Sequence, residues 1–196
     1  MSSGPASTLH DHAARELRFI RETMARAGGF TAVPGRGGMA MGVTALVTAA
    51  ATTRLESDRW WLAAWLTDAA VAAAIGLAAM RLKARTAGVS LTGAAARRFA
   101  LAFVPAIVAA VVLTSLLAAR GMLAALPGTW LLLYGVAVIS GGSTSVPPVP
   151  LFGAALMTLG CVALAAPAPW GTPLMAAGFG LGHIVTGFVI ARGYGG

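Results

Sequence analysis

Charged residues are scarce in this chain. Only 10% of its 196 residues are charged, whereas 58% are apolar, and the mean hydropathy is +0.80. Soluble domains carry about 25% charged residues, so this composition excludes an ordinary soluble domain and predicts a membrane protein. The length suits one compact unit, because a second domain of ordinary size would not fit.

Cysteine is nearly absent, and the common catalytic motifs are missing. The single Cys161 excludes an internal disulfide. There is no Walker loop, no His-Glu-x-x-His, no Cys-x-x-Cys and no Gly-x-Ser-x-Gly. Of the three histidines, His10 and His12 lie near the start and His183 lies in the last apolar run, so metal or haem ligation would need further ligands. We therefore predict no cofactor, no metal site and no catalytic residue.

Basic residues lie beside apolar runs. The net charge of +8 is the sign that nucleic acid binds, but the basic stretches have almost no aromatic side chains to stack on bases. Charges that flank apolar runs are typical of membrane proteins, so we predict a lipid bilayer as the partner and no nucleic acid. The first 30 residues lack the apolar core of a cleavable signal peptide, so we expect the first spans to direct insertion.

Six apolar runs are long enough to cross a membrane as helices. Roughly 20 helical residues cross a core of ~30 Å, and long runs without alternation are helical. The predicted spans are residues 37–53, 60–80, 99–117, 122–139, 149–166 and 170–191. We predict an all-α fold in which residues 37–196 form a six-helix transmembrane bundle, preceded by a cytoplasmic N-terminal segment, residues 1–36.

The distribution of Lys and Arg predicts the orientation. One side of the membrane holds eleven of them, and the other side holds three, namely Arg54, Arg59 and Arg120. The positive-inside rule then places both termini in the cytoplasm of a cell with a plasma (inner) membrane. The tryptophans agree, because most of them fall near the predicted outer helix ends, where indoles anchor at headgroups.

The N-terminal segment has an amphipathic pattern. Its apolar residues recur at helical spacing and share one stripe: Leu9, Ala13, Leu17, Ile20 and Met24. This pattern predicts an amphipathic helix that lies on the cytoplasmic face of the membrane or against the bundle. A packing helix is the preferred interpretation, and a docking site for a cytoplasmic protein is the alternative.

Asp68 is the only acid inside a predicted span. A carboxylate at the bilayer centre is disfavoured by roughly 3 kcal/mol on insertion scales, so its position requires a reason. One interpretation is a proton or cation site, and the other is a hydrogen-bonded acid that joins helices; the sequence supports both equally. We expect Asp68 to face the bundle interior in its protonated form and to donate to a hydroxyl or to His183. Thr67, its neighbour, is a further polar candidate.

The last span carries a histidine and a row of small residues. Gly178, Gly182 and Thr186 recur every four residues, the spacing that lets two helices approach closely, within the chain or across a homo-oligomer. His183 lies on an adjoining face. A His183–Asp68 proton relay is one interpretation, and a histidine bonded to a nearby hydroxyl or carbonyl is the preferred one.

Four stretches carry a resemblance to other proteins: LRFIRETMARAGGFTAVPGRGG, MGVTAL, PGTWLLLYGV and GFGLGHIVTGFVIARGYGG. On these, the chain resembles an uncharacterised family of small bacterial multi-pass membrane proteins. The stretches include the N-terminal helix, the first span and parts of the later ones. The resemblance implies a recurring six-span unit and implies no activity, ligand or catalytic residue.

Two classes of function remain open. The first is an accessory or regulatory membrane component that acts through helix packing and partner contacts. The second is a small proton-coupled transporter or exporter that uses Asp68. Polar side chains are scarce in the spans, and a pathway needs a polar lining, so the sequence favours the accessory class. An enzyme is the least favoured class.

Overall fold

The computed structural model describes residues 16–17, 33–55, 57–88, 90–143 and 145–194, and it has no strand among them. Its long helices are α1 Gly35–Thr52, α2 Asp58–Thr86, α3 Ala94–Ala119, α4 Leu126–Gly142, α5 Pro148–Ala165 and α6 Ala168–Gly193. The all-α fold class is therefore confirmed. Of the predicted amphipathic helix, only Glu16 and Leu17 are described, and both are helical; the rest lies outside the described residues.

Five of the helices are long and apolar enough to cross a membrane. They are α2, α3, α5 and α6, together with α4 and the short turn Leu123–Ala125 that leads into it. Helix α1 also has 18 residues but is not one of the five. Its four glycines add little hydropathy, and Arg36 lies in its first turn. The chain thus contains five apolar helices of membrane-spanning length, and α1 as a sixth span belongs to the proposal below.

Helices α2 and α3 are longer than the predicted spans, with 29 and 26 residues. Basic residues expected in a loop therefore lie on helix ends: Arg81, Lys83, Arg85, Arg97 and Arg98. The charges ended the apolar runs but not the helices, because Lys and Arg are good helix formers whose long side chains reach toward headgroups. Gly88 and Gly121, at φ +64° and +69°, follow α2 and α3 in the left-handed conformation that stops a helix.

The helices pack in two sets of three. In the first set, α1 lies between α2 and α6; in the second, α4 lies between α3 and α5. Helix α6 joins the sets, because it also contacts α4 and α5. The largest fully buried side chains come from α4, α5 and α6: Leu126, Leu131, Leu156 and Met175.

Glycines make the closest contacts within each set. A Cβ on Gly42 of α1 would lie 2.5 Å from the carbonyl oxygen of Gly180 on α6, and a Cβ on Gly187 would lie 2.5 Å from that of Gly35. The contact between α4 and α5 repeats this pattern. A Cβ on Gly135 would lie 2.8 Å from the carbonyl oxygen of Gly153, and a Cβ on Gly153 would lie 2.8 Å from that of Gly135. Backbones this close leave no room for a side chain, as in other membrane helix pairs.

Tryptophans join the two sets at one end of the helices. The rings of Trp61 on α2 and Trp130 on α4 stack with their centroids 5.7 Å apart. The Trp61 indole N–H donates to the hydroxyl of Thr172 on α6 at 3.0 Å, and that of Trp130 donates to the hydroxyl of Thr114 on α3 at 2.7 Å. These bonds satisfy both indole N–H groups and tie four helices together.

Lys83 joins the helices of the first set at the opposite end. Its ammonium group donates to the carbonyl oxygens of Val33, just before α1, and Tyr194, just after α6, at 2.9 and 3.2 Å. A single side chain of α2 therefore holds the entry to α1 and the exit from α6 together.

Candidate functional site

His183 is one of three buried polar residues in the described part of the chain, together with Thr52 and Thr114. It begins the last α-helical part of α6, His183–Gly193. The preceding segment, Ala176–Gly182, is a π-helix, in which backbone bonds run from i to i+5. Five of the seven residues in this segment are glycine or alanine, which reduces the crowding that a wider helix would otherwise create.

The ring of His183 binds a carbonyl of the π-helix. Phe179 lies in the π-helical segment, and its carbonyl oxygen is 2.8 Å from His183 Nδ1. A carbonyl only accepts, so Nδ1 carries the hydrogen. His183 thereby bonds back to its own helix, four residues earlier.

The second ring nitrogen bonds to a tyrosine. Tyr134 on α4 places its hydroxyl 3.0 Å from His183 Nε2. Because Nδ1 holds the hydrogen of the neutral ring, Nε2 accepts and the Tyr134 O–H donates. Both nitrogens of His183 are therefore engaged, one within α6 and one to the other set of helices.

Aromatic rings enclose this pair. Phe152 on α5 meets the His183 ring edge-on with centroids 4.8 Å apart, and Phe179 packs edge-on against Tyr134 at 5.5 Å. Phe103 on α3 meets the other side of Tyr134 at 6.0 Å. The pair is thus packed among aromatic side chains of α3, α5 and α6.

Asp68 lies on the side of α2 that packs against α1. It is half-buried, and the hydroxyls of Thr44 and Thr48 on α1 are its side-chain partners. These two threonines are one turn apart, so both face the same point on α2. The structure therefore joins α1 and α2 through one carboxyl and two hydroxyls.

The Thr44 hydroxyl has two acceptors within reach. It lies 2.8 Å from the carbonyl oxygen of Met41, to which it donates, and it also faces the carboxyl of Asp68. A hydroxyl has one hydrogen, so it can donate to only one of these acceptors at a time. The protonated form of Asp68 stays a prediction.

Asp68 and His183 have separate sets of partners. His183 bonds to Tyr134 and to its own helix, which leaves neither ring nitrogen for Asp68. The carboxyl of Asp68 faces the hydroxyls of α1. Thr67, next to Asp68, is exposed and donates back to the carbonyl oxygen of Ala63 at 2.8 Å. The geometry therefore offers no direct His183–Asp68 hydrogen bond.

The predicted packing face of α6 meets side chains. A Cβ on Gly178 would lie 2.5 Å from Leu131 Cδ2, and one on Gly182 would lie 2.6 Å from Phe152 Cε2, whereas Thr186 is half-buried. The backbone-to-backbone contacts of α6 belong instead to Gly180 and Gly187. Gly178 and Gly182 both meet side chains of α5, so these two glycines share a face that packs against another helix, but there the helix backbone meets side chains.

The glycines at the closest helix contacts have a different spacing in the sequence, which was not recognised as a packing pattern. Glycines recur every seven residues on each of the closely packed helices: Gly35 and Gly42, Gly128, Gly135 and Gly142, Gly153 and Gly160, Gly180 and Gly187. Seven residues make about two helical turns, so such glycines share one face. Tyr134 was also missed, although it is the only tyrosine inside a predicted span.

Comparisons with protein families, with curated proteins and with solved structures give no match. The resemblance to a family of small bacterial membrane proteins therefore stays a prediction. Among the described residues, no three side chains of His, Cys, Asp or Glu come together in a group that could hold a metal ion. What this protein does must accordingly be argued from its own geometry.

Proposed function

We propose that this protein is an accessory or regulatory membrane component, which acts through its packed helices and their contacts with a partner and does not carry a solute. The observation that supports this function is the state of its polar side chains. Within the described spans most of them bond to one another or to nearby carbonyls, as Asp68 and His183 do. The exception among the buried side chains is the indole N–H of Trp65 on α2, which has no hydrogen-bond partner. Thr67, Ser115 and Thr158 each donate to the carbonyl four residues earlier. Such side chains join helices or bond to their own helix and line no pathway.

The proposal includes six spans with both termini in the cytoplasm of a cell with a plasma membrane. Helix α1 is the span with the weakest apolar character, but it lies between two apolar helices, α2 and α6, so it is shielded from lipid on both sides. The eleven-to-three distribution of basic residues supports the orientation. The predicted N-terminal helix would then lie on the cytoplasmic face.

The surface of α3 is where we place the partner contact. None of the most apolar stretch of this helix is buried within the described chain. Val104, Val108 and Val111 are exposed at spacings of four and three, which puts them on one face. A β-branched row of this kind suits close packing against another transmembrane helix, because such side chains lose little rotamer freedom on contact.

Photo-crosslinking tests the partner contact. A photoreactive residue at Val108, introduced into the protein in the membranes of its own organism, should give one discrete adduct with another membrane protein. Leu151 on α5, which is 73% exposed, is the matched lipid-facing control and should give only lipid adducts. Lipid adducts alone at both positions would contradict the proposal. The same adduct from purified protein in vesicles would identify a second copy of the chain and replace the partner with self-association.

A proton-coupled transporter is the second candidate, and the arrangement of the helices favours it. Helices α6, α1 and α2 form one set and α3, α4 and α5 the other, with α1 and α4 each in the middle. If all six helices cross the membrane, α1 and α4 run in opposite directions. Two such sets of opposite orientation are typical of transporters with inverted repeats.

Asp68→Asn separates the two functions. We expect vesicles that contain the wild-type protein, the Asp68→Asn variant or no protein to show equal rates of proton uptake under an imposed potential. Asn keeps the shape of a protonated Asp68 and can still donate to Thr44, so the variant should fold normally. Thr67→Ala, next to Asp68 but bonded only to its own helix, is the control. Proton uptake that is lost in Asp68→Asn and kept in Thr67→Ala would establish the transporter instead.

Infrared difference spectra of the same variant report the state of the carboxyl. Subtracting the Asp68→Asn spectrum from that of the wild type at neutral pH should leave the carbonyl band of a protonated carboxyl. A carboxylate band in its place would refute the neutral Asp68.

A further inference from the structure

A groove opens between α1 and α6 beyond their glycine contacts. The two helices touch at Gly35 and Gly42. One turn further along α1, the side chain of Leu46 packs against Gly180, so the backbones can no longer touch. Beyond this point they enclose a groove of about 290 Å³ between Ala50 and Thr53 on α1 and Pro173 and Ala176 on α6.

The walls of the groove offer almost no free polar group. The Thr53 hydroxyl donates to the carbonyl oxygen of Ala50 at 2.7 Å, and the Thr172 hydroxyl oxygen accepts from Trp61. Pro173 has no backbone N–H. The remaining lining consists of alanine and leucine side chains, so the groove fits an apolar occupant.

A basic residue follows one of the groove residues in the chain. Ala50, Thr53 and Pro173 are exposed, which places the opening on the surface that lipids cover if α1 and α6 cross the membrane. Arg54 follows Thr53 directly, beyond the end of α1, and is also exposed. An apolar slot with an exposed arginine next to it in the chain matches one molecule in both parts: the slot takes an acyl chain and Arg54 pairs with a phosphate.

We propose that this groove binds a phospholipid, with one acyl chain between α1 and α6 and the lipid phosphate at Arg54. The proposal extends beyond the function above, because it requires neither a protein partner nor transport. It explains why α1 and α6, in close contact through their glycines, separate at the end where Arg54 lies. The bound chain supplies the packing that the glycine contacts supply at the other end.

Native mass spectrometry of the purified protein, with phosphatidylglycerol or phosphatidylcholine added, tests the site. We expect one lipid molecule to stay bound to the protein after the more weakly bound lipids have dissociated. Ala50→Phe fills the groove and should reduce this lipid adduct to background, whereas Leu151→Phe on the lipid-facing side of α5 should leave it unchanged. Arg54→Gln should weaken phosphatidylglycerol binding about fivefold, the size expected for one basic side chain near an anionic lipid. Arg59→Gln, at the start of α2, is the control for charge.

Several outcomes would overturn the proposal. Adducts of equal abundance in wild type and Ala50→Phe would show that lipid binds elsewhere. An equal effect of Arg54→Gln and Arg59→Gln would show a general charge effect with no phosphate site. If Ala50→Phe fails to fold, Thr53→Phe at the mouth of the groove makes the same test, and retention of its adduct would refute the site.

Discussion

Gly42→Leu should destabilise the protein by about 3 kcal/mol or more. A Cβ at this position would lie 2.5 Å from the Gly180 carbonyl oxygen and 3.0 Å from the backbone nitrogen of Ile184. Overpacking of a core typically destabilises by 1–3 kcal/mol, and here the opposing atoms belong to a helix backbone that cannot rotate away. Unfolding titrations in detergent should therefore show the largest loss of stability among the glycine variants, with α1 released from α6.

Gly38→Ala is the matched control for this prediction. It lies one turn earlier on the same helix, but its added Cβ would be 3.5 Å from the nearest atom, Gly187 Cα, which is ordinary contact. Alanine is also the better helix former by about 1 kcal/mol. We expect Gly38→Ala to be neutral or stabilising. Equal stability of Gly42→Leu and Gly38→Ala would mean that α1 and α6 are not held together at Gly42.

His183→Leu should produce the second large effect. The substitution leaves the Phe179 carbonyl without its side-chain donor and the Tyr134 hydroxyl without its acceptor. Each unsatisfied buried group costs about 1–3 kcal/mol, so a total loss of about 2–6 kcal/mol is expected. Tyr134→Phe leaves only the Nε2 acceptor unpaired and should destabilise by about 1–3 kcal/mol.

The double variant shows whether the two side chains act together. Once His183 is leucine, the Tyr134 hydroxyl is a buried donor without an acceptor, which destabilises the fold. Adding Tyr134→Phe removes this hydroxyl and should restore part of the lost stability. The double-mutant cycle in detergent unfolding should give a coupling of about 0.5–3 kcal/mol. Strict additivity of the two single effects would show that the Tyr134–His183 bond contributes nothing to stability.

The packing of α6 shows where inference from the sequence stopped. The sequence predicted a helix over residues 170–191 and indicated His183 as a candidate, because the residues around this histidine are mostly apolar. It did not indicate the π-helix, since an i→i+5 segment of glycine and alanine has no distinct residue pattern. Tyr134 was missed for a related reason, because it is 49 residues from His183 and only the contact of α4 with α6 joins them.

Asp68 shows the same division between sequence and structure. From the sequence alone, its partner was either a hydroxyl or His183, because both lie at accessible depths in other spans. The choice depends on which helix faces α2, and α1 does so with Thr44 and Thr48. Helix pairing in lipid is governed by small residues and by a few hydrogen bonds, and neither determines the neighbours of a helix until all the helices are placed.

The amino-acid sequence by itself determined that this protein is helical and that most of its helices have membrane-spanning length. Apolar runs of some 20 residues satisfy their backbone groups only as helices, so the composition alone is sufficient for that conclusion. The tertiary structure decided which glycines touch, which partners Asp68 and His183 have, and where α1 and α6 separate. These features depend on contacts between helices that are distant in the chain, because a glycine allows close approach only where another backbone is there to meet it.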